Sequence, residues 1–254
     1  MLRREALLAL VGLASGPALA GLPRGLVSPG LRIAGPDTAG PRIAVTLDAC
    51  MGGVDMRIID TLMAEQVPAT LFVTGRWLAG NTEALRLLLG RPDLFELENH
   101  GAMHVPAVTE PLPIYGIRTA GSLAAVIDEV AGGAAAMAIH GAGRPKWYRD
   151  ATALYSPDAL AEIRNMGYRI AGYSLNADFG ASLPADKVTA RMLTARDGDV
   201  IIGHVNQPKR HSGAGIAQGI RELKARGFRF VRLSDVAELD AWGEGGHPSG
   251  ETPN

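Results

Sequence analysis

His100 and His104 stand four residues apart in Glu98-Asn99-His100-Gly101-Ala102-Met103-His104, directly after the apolar segment that ends in Leu94-Phe95-Glu96-Leu97. On a helical turn that spacing puts two imidazoles on one face, close enough to grip a single metal ion. A metal held by two histidines and an oxygen ligand, with one position open, binds water and brings its pKa to about 7. Hydrolysis is then the chemistry in view. Four further residues suit it: Asp48 as a carboxylate that takes a proton, Arg149 to keep that carboxylate ionised, His204 to protonate a leaving amine, and Asp178 to steady an arginine or a histidine. Such a set fits cleavage of an amide or an ester.

Other catalytic patterns fail on detail. The helical metalloprotease motif needs Glu directly after its first His, and Gly101 stands there. The chain has no Gly-x-Ser-x-Gly elbow for a serine nucleophile. Gly213-Ala214-Gly215 with Gly219 looks like a dinucleotide loop, but the preceding apolar run ends near Val205, too far upstream for a fingerprint that must follow its strand directly.

These residues need elements to carry them to one place. Short apolar runs alternate with helical patterns along the chain. Strands are expected at 42–47, 69–73, 95–98, 146–148, 168–173, 200–205 and 229–233. Helices are expected at 56–66, 83–89, 117–138 (interrupted near Gly132-Gly133), 157–166, 185–194, 216–225 and 234–242. Alternation of this kind predicts βα units and a parallel sheet, and six or seven units in one domain point to a barrel. Chemistry in such barrels gathers at the C-terminal ends of the strands. Asp48, Glu98, His100, Arg149, Asp150, Asn176, Asp178 and His204 all follow strand candidates and would converge on one rim.

Composition sets the frame. With 254 residues, 47% of them hydrophobic, the chain can bury a sizeable core, and a net charge of −1 without a basic stripe argues against nucleic acid as a partner. Arg3-Arg4, the apolar run from Leu7 to Ala20 and the small residues of Ala18-Leu19-Ala20 read as a secretory signal over residues 1–20, with the paired arginines fitting export in folded form. The run is too short to serve as a spanning helix, so no stable membrane span is expected after signal cleavage, and the expected location is secreted or periplasmic. Residues 21–41 read as an extended leader, 42–242 as the domain and 243–254 as a Gly-rich tail. Cys50 is the only cysteine, which excludes an intrachain disulfide and a multi-cysteine zinc site.

The order Thr46-Leu47-Asp48, His-x-x-x-His, Tyr148-Arg149, Asp178-Phe179 and Ile202-Gly203-His204 resembles the polysaccharide deacetylases of carbohydrate esterase family four. The segments 69–75 and 227–233 resemble that family's second and last strands, so the likeness runs from about Arg42 to Trp242. The resemblance implies a distorted (β/α)7 barrel in a single domain and a divalent metal, zinc first, with cobalt, manganese or nickel as alternatives. It implies removal of N- or O-acetyl groups from an acetylated glycan or peptidoglycan. On the matching positions Asp48 is the base, His100 and His104 bind the metal, Arg149 steadies the base, Asp178 is the fourth motif's acid, and His204 is the catalytic acid.

This chain departs from the family's pattern in ways that bear on the site. Ala49 stands where the second, metal-binding Asp belongs, Ala151 replaces a proline, Leu175 an acid and Phe179 a tryptophan. Phe179 keeps an aromatic face that could wall an acetyl-methyl pocket, and Tyr148 is a candidate to meet a sugar ring. Three arrangements follow from Ala49. Asp48 itself completes the metal site; or the two histidines and waters hold the metal; or the barrel is inactive and binds glycan without cleaving it. Hydrolysis of a non-sugar amide is a further alternative. Cys50 shares strand parity with Asp48, and a thiolate suits zinc, although the more ordinary role of a free cysteine is as a small buried apolar residue.

Overall fold

The computed structural model describes residues 25–242 apart from Pro36 and Thr38; the expected signal segment at 1–20 and the tail at 243–254 lie outside the described residues. The strands are β1 (Gly30–Ile33), β2 (Arg42–Ala49), β3 (Ala69–Val73), β4 (Phe95–Asn99), β5 (Pro113–Ile114), β6 (Ile117–Arg118), β7 (Trp147–Tyr148), β8 (Arg169–Ile170), β9 (Leu175–Asn176), β10 (Val200–His204), β11 (Arg229–Phe230) and β12 (Leu239–Trp242). The helices are α1 (Met56–Ala64), α2 (Gly75–Gly80), α3 (Thr82–Leu89), α4 (Leu123–Ile139), α5 (Pro157–Asn165), α6 (Ala185–Met192) and α7 (Ser212–Ala225).

The main sheet runs β8-β7-β4-β3-β2-β10-β9, with β11 pairing β2 as well, and every pairing in it is parallel. β8 and β9 lie at opposite edges of that order but are consecutive in the chain, so the short segment 171–174 bridges the seam and curls the sheet into the expected distorted (β/α)7 barrel. Parity along β2 sorts the side chains. Ile43, Val45, Leu47 and Ala49 face the helical layer with Ile58, Leu62, Ile216 and Ile220. Ala44 faces inward with Phe72, Trp147, Ala171 and Val200, and Thr46 and Asp48 follow it by the two-residue repeat.

Several expectations are corrected. The helical pattern at 234–242 gives way to a 3-10 turn at Leu233–Asp235 and then β12, which pairs antiparallel with β1. Leu31, Ile33, Leu233 and Val236 pack against Ala44 and Val200 at the start of the barrel strands, so this pair of strands plugs the barrel floor. A side chain at Gly30 would collide with the Trp242 indole, so glycine admits the close approach. Part of the segment read as an extended leader is thus a strand of the fold. The interruption expected near Gly132-Gly133 does not occur: α4 runs unbroken to Ile139. The first residues of the helix expected at 117–138, Ile117 and Arg118, instead form one arm of the β5–β6 hairpin. Finally, His100 and His104 lie on a loop and not on a helical turn.

Candidate active site

Asp48 and His204 sit side by side at the C-terminal ends of β2 and β10, as register partners on adjacent strands. Arg149, just past β7, reaches across the barrel interior with its guanidinium fully buried. It donates to Asp48 Oδ1 at 2.9 Å and Thr46 Oγ1 at 2.8 Å, and to the carbonyls of Ala171 and Gly172 at 3.1 Å each. The Phe72 ring lies 4.2 Å beneath it. This fork spans the seam and leaves Asp48 Oδ2 as the free oxygen of the carboxylate. Burial works against ionisation of Asp48, yet Arg149, with His100 and His204 nearby, holds its carboxyl below the usual carboxylate value.

His204, itself part-buried, carries a second ion pair with the buried Asp178. Its Nδ1 lies 2.9 Å from Asp178 Oδ1, and its backbone N–H donates to Asp178 Oδ2 at 2.8 Å. A carboxylate can only accept, so Nδ1 carries the proton and Nε2 points away from Asp178. Burial alone would lower the His204 pKa; Asp178, helped by Cys50, holds it well above 6.5. The loop that brings Asp178 there is set by Asn176, whose side chain accepts from Phe179 N–H while Phe179 adopts a left-handed φ of 47°. Phe179 is half-buried and is held by the Arg191 guanidinium 4.5 Å above its ring.

His100 Nδ1 lies 2.8 Å from the Arg149 carbonyl, which can only accept, so Nδ1 carries a proton and Nε2 is the nitrogen left to face the site. Nε2 lies 3.5 Å from Cys50 Sγ and 3.8 Å from Asp48 Oδ2. Burial would push the His100 pKa down, but Asp48 and Cys50 outweigh it and raise it to about 9. The Cys50 thiol is likewise disfavoured as an anion by burial, yet held well below its ordinary value by His100, His104 and His204.

His104 completes the group. It is buried, its ring packs edge-on to His100 with centroids 5.1 Å apart, and neither ring nitrogen has a hydrogen-bond partner. A buried imidazole with both nitrogens unpaired is costly unless something else binds it, and two converging imidazoles fit a metal ion. The 101–105 loop is stapled on both sides. The carbonyls of Gly101 and Ala102 accept from Gly75 and Arg76 N–H at the start of α2, at 2.9 Å each, which satisfies two of that helix's open donors. Glu129 on α4 accepts from Met103 N–H at 2.8 Å and Val105 N–H at 3.1 Å through one carboxylate oxygen. Gly101 turns with φ 86° and any side chain there would strike Glu129; His104 itself holds φ 66°, a strained conformation for a non-glycine residue.

Thus Asp48, His100, His104, Arg149, Asp178 and His204 come together on one rim, with Phe179 beside Asp178. Tyr148 does not. It is fully buried on the outer side of the sheet, between the rings of Tyr155 and Tyr168 and against α4 and α5. In the pair Trp147-Tyr148 the inward place falls to Trp147, so Tyr148 is a packing residue and its expected contact with sugar is corrected. Sequence reasoning passed over Glu129, which lies in an Ala-rich helix without a motif. Asp150 was noticed only as a rim acid. It accepts from Ala107 and Thr152 N–H and so anchors the chain just beyond His104.

Comparison with known proteins identifies the family. The polysaccharide deacetylase family model matches residues 35–171. The chain belongs to the polysaccharide deacetylase family. Among solved structures, this deacetylase-family chain is similar to a family-four pseudoenzyme from Bacillus anthracis, at 17% identity and a TM-score of 0.62 over 78% of this chain and 66% of that one. It is similar to the peptidoglycan deacetylase PdaC from Bacillus subtilis, at 18% identity and a TM-score of 0.61 over 78% and 91% of the two chains. A family 4 carbohydrate esterase from Streptomyces lividans in complex with acetate matches at 19% identity and a TM-score of 0.61 over 76% and 93%. At these identities the likeness carries the fold. No curated protein matches by sequence. Among the described residues, no helix is long and apolar enough to cross a membrane.

Proposed function

We propose that this protein is an exported, metal-dependent hydrolase that removes acetyl groups from a polysaccharide or peptidoglycan. One observation carries the reading: two oppositely built ion pairs, Arg149–Asp48 and Asp178–His204, flank two converging imidazoles on a single rim. His100 through Nε2 and His104 would hold a divalent ion, zinc in the first place, which when bound supplies an acidified water and polarises the acetyl carbonyl. Asp48 takes the proton of the attacking water on Oδ2, while Arg149 keeps that carboxylate ionised and fixed in direction. His204 donates from Nε2 to the leaving amine or alkoxide, and Asp178 keeps it protonated and in the required tautomer. Phe179 forms an aromatic wall beside the acid. Residues 1–20 act as the export signal, giving a secreted or periplasmic enzyme.

The test is acetate release from acetylated chitooligosaccharides and from peptidoglycan, with and without chelator. Wild-type protein releases acetate, chelated protein does not until metal is returned, and His204→Ala is slowed by roughly 10²–10⁴-fold. Full activity of His204→Ala would remove the assigned acid. Ala49 favours one second reading, an inactive barrel that binds glycan, because the family's metal-binding acid is missing there. Glycan binding with neither bound metal nor released acetate would establish it.

A further inference from the structure

We infer that the Cys50 thiolate is the third protein ligand of the metal, taking over from the acid that Ala49 lacks and leaving Asp48 free as the base. The inference rests on the deacetylase reading only in assuming a resident divalent ion. Among the described residues, Cys50, His100 and His104 form the group whose donor atoms all lie within 4.8 Å of one another, and Asp48 forms no such group with the two histidines. The spacing is that of a ligand set. A tetrahedral site with a metal–sulfur bond of about 2.3 Å and a metal–nitrogen bond of about 2.05 Å has a sulfur-to-nitrogen edge of about 3.6 Å. Cys50 Sγ and His100 Nε2 lie 3.5 Å apart.

Independent observations point the same way. His104 is buried with both ring nitrogens unpaired, facing the same group. Asp48 Oδ1 is committed to Arg149, and Oδ2 sits 3.8 Å from His100 Nε2, a longer reach than the thiol. Cys50 is held in place by its surroundings. Thr74 Oγ1, the N-cap of α2, donates to the Cys50 carbonyl at 2.6 Å, and Asn206 Nδ2 donates to the Met51 carbonyl at 2.6 Å. The strand ends at Ala49, whose side chain is packed into the outer core. Inward parity then delivers residue 50, and not residue 49, to the metal. A ligand set of two imidazoles and one thiolate selects thiophilic borderline ions such as zinc and cobalt over magnesium or manganese.

Cobalt loading tests this with a readout separate from turnover. The Co2+ form of the wild-type protein is expected to show the intense near-ultraviolet charge-transfer absorption of a cobalt–thiolate bond, at one cobalt per chain. Cys50→Ser loses that absorption and weakens metal binding by more than the roughly 10–100-fold that an outer-sphere partner costs. Cys50→Asp lacks the absorption but regains tighter binding than the serine variant through an oxygen ligand, and circular dichroism verifies that both variants fold. Cobalt bound by wild-type protein without the thiolate absorption, or no cobalt bound at all, overturns the inference; so does a serine variant with unchanged affinity. Absent absorption with intact acetate release sinks the ligand assignment alone. Absorption present with no acetate released from any glycan sinks the deacetylase reading alone.

Discussion

Replacing Asp178 by Asn isolates what the buried acid does for His204. The carboxylate oxygen lies 2.9 Å from Nδ1, so the two charge centres are about 4 Å apart, and at an effective dielectric of about 20 their attraction is about 4 kcal/mol. Asp178 outweighs burial in holding His204 well above its ordinary 6.5, so the substitution moves the imidazole pKa downward. An asparagine also offers an N–H₂ where two oxygens accepted, so one of the two His204 donors loses its partner or the ring changes tautomer. With the imidazolium as the proposed acid, activity of the wild type is expected to fall on the alkaline side as that proton is lost. In Asp178→Asn the alkaline limb of the kcat profile for acetate release should move to lower pH, with a rate loss of roughly 10²–10⁴-fold above it. Stability follows the same sign: a raised imidazole pKa stabilises the fold below 6.5 and the benefit fades as pH rises through the elevated value, a dependence the variant should lose. An alkaline limb that stays in place, with activity near wild type, would refute the acid assignment and the pairing argument together.

Other perturbations give separate readings. Arg149→Met leaves the Asp48 charge buried and unpaired, and urea unfolding should show a loss of about 3–5 kcal/mol at neutral pH. Since the depressed Asp48 pKa stabilises the fold above 3.8 and this is lost as pH falls through the folded value, the gap between variant and wild type should narrow in acid. Glu129→Ala removes the acceptor on both sides of His104, and calorimetry should show metal affinity reduced by roughly 10–100-fold while the fold persists. Burial raises Glu98 from 4.5 to about 8, against the lowering pull of the Trp147 and Lys146 N–H groups that it accepts. The folded chain therefore binds the extra proton between those values and loses stability as pH rises across them. Glu98→Gln should flatten that slope and melt above wild type by up to a few kcal/mol in stability past pH 8, as scanning calorimetry at several pH values would reveal.

The order of the candidate site residues along the chain was legible because each stands at or near a strand end, where a parallel barrel collects its chemistry. Long strands told their facing plainly: the apolar parity of Val45, Leu47 and Ala49 places Asp48 inward. Two-residue strands did not. Trp147 and Tyr148 are both aromatic, and which one enters the barrel is decided by neighbours on β4 and β8 rather than by pattern. The helical spacing of 234–242 lost to pairing with β1, some two hundred residues away in the chain, a partner no local window contains. The two histidines do converge, but on a loop and not on the helical turn their spacing suggested. Gly101 supplies a turn that spacing alone does not reveal, and the left-handed backbone of His104 depends on Glu129 in a distant helix. Cys50 could be aimed by parity, but only the folded loop shows the two imidazoles it meets.

The floor plug gives the molecule a direction. β1 and β12 bring both ends of the described chain together at the barrel base, while the histidines and acids open at the opposite end. Attachment through either end of the described segment would leave the rim facing outward, open to a long polymer. A glycan strand too large to diffuse into a cleft could then be worked along its length from a fixed support.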